Sequence, residues 1–256
     1  MKATALVLAP HPDDESITGL LALRLQVECG FRIVVVPATL GSRRDRRAAR
    51  RRELRAACAC LGFRVRFPKS LASGPAQISE LRGILESIRP AVVLLPHARD
   101  GHPTHRETHR RGLAALDAAA RQWAVVETEF WHPLERPNLM VAARPAHLAK
   151  LRRALACHRG ELERHDYAVR LAAWMSDNVR RGAELVGQRG APAPAMAYAT
   201  LYRARIRGRG RWQPAYRGGR MVVSPADLAD LAQIWRVEAP QSTDLKPKGC
   251  PGFNET

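Results

Sequence analysis

Short apolar runs alternate with helical stretches along the first 140 or so residues, and this alternation constrains the fold more than any other feature. Ala3 to Leu8 is an apolar run of the right length for a buried strand. Ile33-Val34-Val35-Val36, inside Phe31 to Ala38, and Ala91 to Pro96 repeat it. Val125 to Trp131 and Leu139 to Ala142 are further strand candidates. Between the first two runs, Ile17, Leu20, Leu21 and Leu25 share one helical face, with Gly30 placed to end the helix. A basic helix is expected from Arg43 to Leu61, with Leu54, Ala57, Cys58 and Leu61 as its apolar stripe. Phe63 to Phe67 alternates like a strand near a sheet edge. Ser73-Gly74-Pro75 then breaks the chain before a helix carrying Ile78, Leu81, Leu85 and Ile88. Another helix should run from Pro103, tolerated in a first turn, to about Trp123. Continuous apolar strands separated by helices bury both their faces only in a parallel sheet covered on both sides. The expected fold is therefore α/β: a Rossmann-like, doubly wound, mostly parallel sheet with helices on both faces.

Beyond these runs, helices are expected near Leu148 to His158 and Leu162 to Arg180. The pattern weakens after about Gly190. Ala195 to Arg205 suits a short helix or a strand, and Arg207-Gly208-Arg209-Gly210-Arg211 reads as a flexible basic turn. Ser224 to Val237 reads as a helix with Ser224 as cap and Pro225 at its first position. The stretch from Pro240 onward is expected to fray. Residues 1–205 are thus expected to form the main domain and 206–256 a partly ordered C-terminal extension packed on it.

In a doubly wound sheet, ligands bind beyond the carboxyl ends of the strands. Two polar clusters fall at such ends. Ala9-Pro10-His11-Pro12-Asp13-Asp14-Glu15-Ser16 follows the first apolar run, so an imidazole and three carboxylates crowd one turn. Acids this close repel one another unless a cation gathers them. His11 and Asp14 could chelate one metal and leave Asp13 facing a bound water. Alternatively, Asp13 to Ser16 simply cap the following helix. The second cluster, after Ala91 to Pro96, favours the metal: His102, His105 and His109 are spaced three and four apart and share one helical face. Catalytic zinc sites combine three His, Asp or Glu ligands with an open position. His105 and His109 are not a zincin pair, because Arg106 stands where H-E-x-x-H needs glutamate. The loop after the second strand, Leu40-Gly41-Ser42-Arg43-Arg44, should overhang the same rim. Ser42 and Arg43 or Arg44 are its candidate substrate anchors, while Arg46, Arg47 and Arg50 are expected on a solvated helix face.

Charge and cysteines bear on alternatives. The formal net charge is +18, yet lysine accounts for only five of the 42 basic residues and no stacking aromatics or zinc-finger spacing accompany them. Nucleic acid is therefore not the expected partner. The five cysteines are odd in number and scattered, without a C-x-x-C, and are expected to be reduced and structural. No apolar segment approaches the roughly 18–20 residues of a membrane span, and no signal peptide is apparent, so a cytoplasmic protein is expected.

The chain resembles the PIG-L (LmbE-like) zinc-dependent N-deacetylases. The resemblance rests on Ala9-Pro10-His11-Pro12-Asp13-Asp14-Glu15 and Gly101-His102-Pro103-Thr104-His105. It extends through Thr39-Leu40-Gly41-Ser42, Arg51-Arg52-Glu53-Leu54 and Leu61-Gly62. It implies zinc, or another divalent metal, held by His11, Asp14 and His105, with Asp13 as general base and His102 protonated beside the oxyanion. Thr104 departs from the family's H-P-D-H, where an aspartate orients the neighbouring histidine. Asp100 is the candidate replacement, and Tyr198 a candidate oxyanion donor. The implied reaction removes the N-acetyl group of an N-acetylglucosamine-type sugar or conjugate carrying an acidic or lipid aglycone. A rival in the same class is an amidase releasing a larger acyl or thiol conjugate. A rival from another class is a basic nucleic-acid- or anionic-surface-binding protein with a degenerate site.

Overall fold

The computed structural model describes residues 2–69, 74–119, 121–187, 190, 192 and 194–237. Among these, nine strands form one sheet. Its parallel half comprises β1 (Thr4–Ala9), β2 (Arg32–Pro37), the two-residue β3 (Arg64–Val65), β4 (Val92–Pro96) and β5 (Trp123–Thr128). These lie in the order β3-β2-β1-β4-β5. The chain winds outward from β1 to β3 and then returns to place β4 on the other side of β1, so the winding reverses between β1 and β4. That is where a doubly wound sheet opens a crevice. The registers bring Leu6, Val34, Val93 and Val125 into one row and Val7, Val35, Leu94 and Val126 into the next.

The two rows point to opposite faces, and both are buried. The first is covered by α4 (Pro75–Ile88) and α5 (Pro103–Ala118) through Leu81, Ile84, Leu85, Ala115 and Leu116. The second lies under α2 (Leu20–Cys29), α3 (Arg47–Leu61), α6 (Pro145–Leu155) and α8 (Tyr167–Leu185). Each fully buried Val or Leu contributes about 1.5–3 kcal/mol, which is why the strands carry apolar residues at every position.

The far half of the sheet is mixed. β7 (Tyr198–Gly208) runs antiparallel between β5 and β6 (Leu139–Ala143); β8 (Arg211–Pro214) pairs with β7, and β9 (Arg220–Val222) pairs parallel with β6. The ambiguous stretch from Ala195 is therefore a strand, and Arg207 to Arg211 is a hairpin turn with Arg209 and Gly210 at positive φ. β7 passes straight through residues 205–206. Beyond it, α9 (Pro225–Val237) packs against α2. The expected frayed stretch from Pro240 lies outside the described residues. No helix among them is long and apolar enough to cross a membrane.

Several boundaries move for local reasons. The helix expected after the first motif is two helices, α1 (Asp14–Ile17) and α2, because Thr18 Oγ1 turns back to the Asp14 carbonyl at 2.9 Å. Gly30 ends α2 in the left-handed conformation, as expected. The basic helix starts at Arg47 rather than Arg43, and α8 starts at Tyr167, where Asp166 accepts the Val169 N–H. α5 stops at Ala118, freeing Trp123 to open β5 while its indole N–H bonds the Leu116 carbonyl at 3.1 Å.

Candidate active site

The crevice between β1 and β4 collects both polar clusters. Asp14 sits between two imidazoles: its Oδ2 is 3.5 Å from His11 Nδ1 and 3.5 Å from His105 Nε2, and it accepts the His11 backbone N–H at 2.8 Å. His102 completes the group, its ring centroid 4.9 Å from that of His11 and 5.2 Å from that of His105. One nitrogen from each of the three histidines lies within 4.8 Å of the others. Three imidazoles around a buried carboxylate form a donor set that suits zinc, and their mutual spacing leaves room for a cation. Burial alone would raise the Asp14 pKa, but His105 and His11 outweigh it and hold it at about 2, so the carboxylate is ionised and available as a ligand.

Asp100 takes a different part from the one expected. Its Oδ1 accepts the His102 backbone N–H at 2.8 Å, but its Oδ2 lies 3.3 Å from His105 Nδ1. It therefore orients His105 rather than the His102 ring, and it is buried behind the histidines rather than exposed to a substrate. His102 caps α5, with Nδ1 accepting the Thr104 N–H at 3.2 Å. That bond makes Nε2 the protonated nitrogen of a neutral ring. Partial burial, helped by His11 and His105, pushes its pKa down. Both effects favour the neutral ring.

Asp13 is buried beside this group at φ 129, a backbone angle L-residues rarely adopt, at a strain on the order of 1–3 kcal/mol. Burial, reinforced by the Asp14 charge, pushes its carboxyl pKa well up. Opposing this is Arg50, whose Nη2 lies 3.6 Å from Asp13 Oδ2, 3.6 Å from Glu161 Oε1 and 3.1 Å from the Pro12 carbonyl. The expectation of a solvated Arg50 is corrected. The α3 face bearing it turns under the loop at Gly41, and Arg50 reaches the rim almost fully buried.

A cleft of about 630 Å³ opens over these groups, walled by Ser42, Arg47, Trp131, Arg164, His165 and Tyr167. Of the residues expected to meet substrate, Ser42 lies in this wall. Arg43 instead pairs with Asp45 at 2.6 Å in solvent, bordering only a small side recess, and exposed Arg44 borders neither space. Tyr198 is also corrected. It opens β7 opposite Ala143, packs against the hydrophobic core and does not line the cleft. The tyrosine in the wall is Tyr167, whose hydroxyl pKa is pushed up by burial and by Asp13, so it stays a neutral O–H. His97 bonds the His132 carbonyl at 2.9 Å, and His109 bonds Glu127 at 3.1 Å; neither reaches the cleft.

Arg50, Trp131, Glu161, Arg164, His165 and Tyr167 escaped the reading of the sequence. They sit on the basic helix, on the short α7 (Arg159–Leu162), at the start of α8 and on loops with no motif, and only the β/α packing brings them to the rim.

Comparison with known proteins agrees with this geometry. The chain overlays on a 4-carboxy-2-hydroxymuconate hydratase, GalB, from Pseudomonas putida (TM-score 0.64, 20% identity, 80% of this chain and 96% of that one). It is similar to an N,N'-diacetylchitobiose deacetylase from Pyrococcus horikoshii (TM-score 0.62, 17% identity, 78% and 83%). It is similar also to the zinc-inhibited form of the teicoplanin deacetylase Orf2 (TM-score 0.58, 16% identity, 80% and 98%). At such identities the likeness is one of fold, and one fold hosting a hydratase and deacetylases leaves the reaction to the site. No curated protein matches the chain significantly. The family model described as PIG-L, GlcNAc-PI de-N-acetylase, matches residues 6–116. That span holds β1, β4, both histidine clusters and the intervening Arg50, and over it the chain is similar to the PIG-L (LmbE-like) family.

Proposed function

We propose that the protein is a zinc-dependent hydrolase that removes the N-acetyl group from an N-acetylglucosamine-type amino sugar or its conjugate, giving free amine and acetate. The observation that carries the reading is the placement of a second buried carboxylate, Asp13, beside the His11, Asp14 and His105 group at the floor of an open cleft. His11, Asp14 and His105 would hold the metal, with His102 alongside. A zinc ion there supplies Lewis acidity to the acetamide carbonyl and to the attacking water. Asp13 takes the water's proton as its oxygen bonds to the carbonyl carbon, and returns it to the nitrogen as the C–N bond breaks. The neutral His102 donates from Nε2 to the developing oxyanion. Trp131 offers an aromatic face and Tyr167 a hydroxyl donor to the sugar. Ser42, Arg47 and Arg164 meet the aglycone; two guanidiniums at the mouth suit an acidic group there.

The test is acetate release by the zinc-loaded protein from a panel of N-acetylglucosaminides, with and without acidic aglycones. Asp13→Asn should keep its metal while kcat falls by a factor on the order of 10² or more. Release of a larger acyl group instead of acetate would favour the amidase chemistry, and no amide cleavage on any substrate would sink the reading.

A further inference from the structure

The chemistry above uses Asp13 but not the buried pair behind it. Glu15 is wholly out of water, and so is His158, 143 positions later in the turn between α6 and the short α7 (Arg159–Leu162). His158 Nε2 lies 2.8 Å from Glu15 Oε1, which also accepts from Ser16 Oγ at 2.7 Å. The other oxygen, Oε2, accepts the backbone N–H of Asp13 at 2.9 Å. Nothing in the sequence around His158 marks it for such a contact. Its Nδ1 is buried with no partner, an expense that an apolar side chain of similar size would avoid.

What this pair holds is specific. The Asp13 peptide is pinned from both sides: its N–H by Glu15, and its carbonyl by the Ser16 and Ile17 N–H groups at 2.9 and 3.0 Å. Between these bonds the backbone stands at φ 129, which an aspartate does not hold unaided. A carboxylate acting as base must meet the water within a narrow range of distance and angle. Its direction here depends on that imposed angle.

We infer that His158 is a positioning residue acting through Glu15. It fixes the Glu15 carboxylate, which fixes the Asp13 backbone and so the direction of the Asp13 side chain. The inference rests on the deacetylase reading of Asp13, and the experiment separates the two. In the full-length, zinc-loaded protein, His158→Leu removes the donor at similar size, while His158→Gln keeps an N–H donor. His158→Leu should retain metal and lower kcat roughly 10- to 100-fold with little change in KM, and His158→Gln should recover most of the loss. Added to Asp13→Asn, His158→Leu should cost nothing further in kcat, because its effect passes through Asp13. An unchanged kcat in His158→Leu, an equal loss in the leucine and glutamine variants, or a full extra loss on top of Asp13→Asn would each overturn the inference. Should His158→Leu fail to fold, amide exchange followed by NMR on the wild type decides: a slowly exchanging Asp13 amide supports the chain of contacts, and a fast one refutes it. A zinc-loaded wild type that releases no acetate counts against the deacetylase reading. An active wild type indifferent to His158→Leu counts against this inference alone.

Discussion

Replacing Gly41 by alanine tests how Arg50 is held against Asp13. Gly41 has φ +85, and a Cβ built on it would sit 2.2 Å from Arg50 Nη1. Gly30, the residue that ends α2, offers a control: φ +69, with nothing within 4 Å of a Cβ. Both substitutions force an L-residue into the left-handed region, at roughly 1–2 kcal/mol each. Only Gly41→Ala also displaces a guanidinium that is almost fully buried. Displacement breaks the 3.1 Å bond to the Pro12 carbonyl and the 3.6 Å approaches to Asp13 and Glu161. Losing a buried hydrogen bond to a charged group costs about 1.5–3 kcal/mol. Gly41→Ala should therefore destabilise by about 2.5–5 kcal/mol, against about 1–2 for Gly30→Ala. For a chain of this size the difference corresponds to roughly 3–12 °C in Tm. Thermal and urea unfolding of both variants measure it, and acetate-release kinetics show whether kcat falls in Gly41→Ala alone. Equal destabilisation with wild-type kcat in both would refute the account of Arg50 as a residue clamped beneath the Gly41 loop.

The other expectations concern the metal and the interior. His105→Ala should lose zinc by elemental analysis, and full retention would move the site to other ligands. Asp100→Asn keeps an acceptor for the His102 N–H but removes the carboxylate from His105. Zinc affinity measured against a competing chelator should weaken by about 10- to 100-fold, and an unchanged affinity would show that Asp100 does not tune the ligand. Glu127 is held below its ordinary pKa of 4.5: burial would raise it, but the His109 bond and the Arg205 charge prevail. A depressed carboxylate stabilises the fold above that ordinary value and loses the contribution as pH falls through its folded pKa. The stability gap between wild type and Glu127→Gln should thus be open at pH 7 and close below about pH 4.5; a gap constant with pH would exclude an ionised Glu127.

Much of this protein is local in origin. The apolar runs at Ala3 to Leu8, Ile33 to Val36 and Ala91 to Pro96 determine buried parallel strands, because a chain of such residues satisfies its backbone and its side chains together only inside a two-sided sheet. Once the strands are placed, the two polar clusters that follow them must meet, since parallel strands all end on one edge. That His11, Asp13 and Asp14 meet the histidine cluster is therefore legible from order and spacing, whereas the choice of His102 and His105 over the equally spaced His109 comes from the family resemblance. Four features were decided only by tertiary packing. Arg50 looks like one arginine among many on a basic helix, and the turn of that helix under Gly41 is what buries it. Tyr198 and Tyr167 are indistinguishable as sequence; the first packs on the core at the start of β7, while the start of α8 brings the second to the cleft. Asp100 lies two residues from His102 and four from the end of β4, but the loop geometry delivers its carboxylate to His105. Glu15 and His158 stand 143 positions apart with no periodicity between them. Spacing reports only neighbours on one element, whereas a buried polar contact between distant segments is fixed by how helices settle on the sheet.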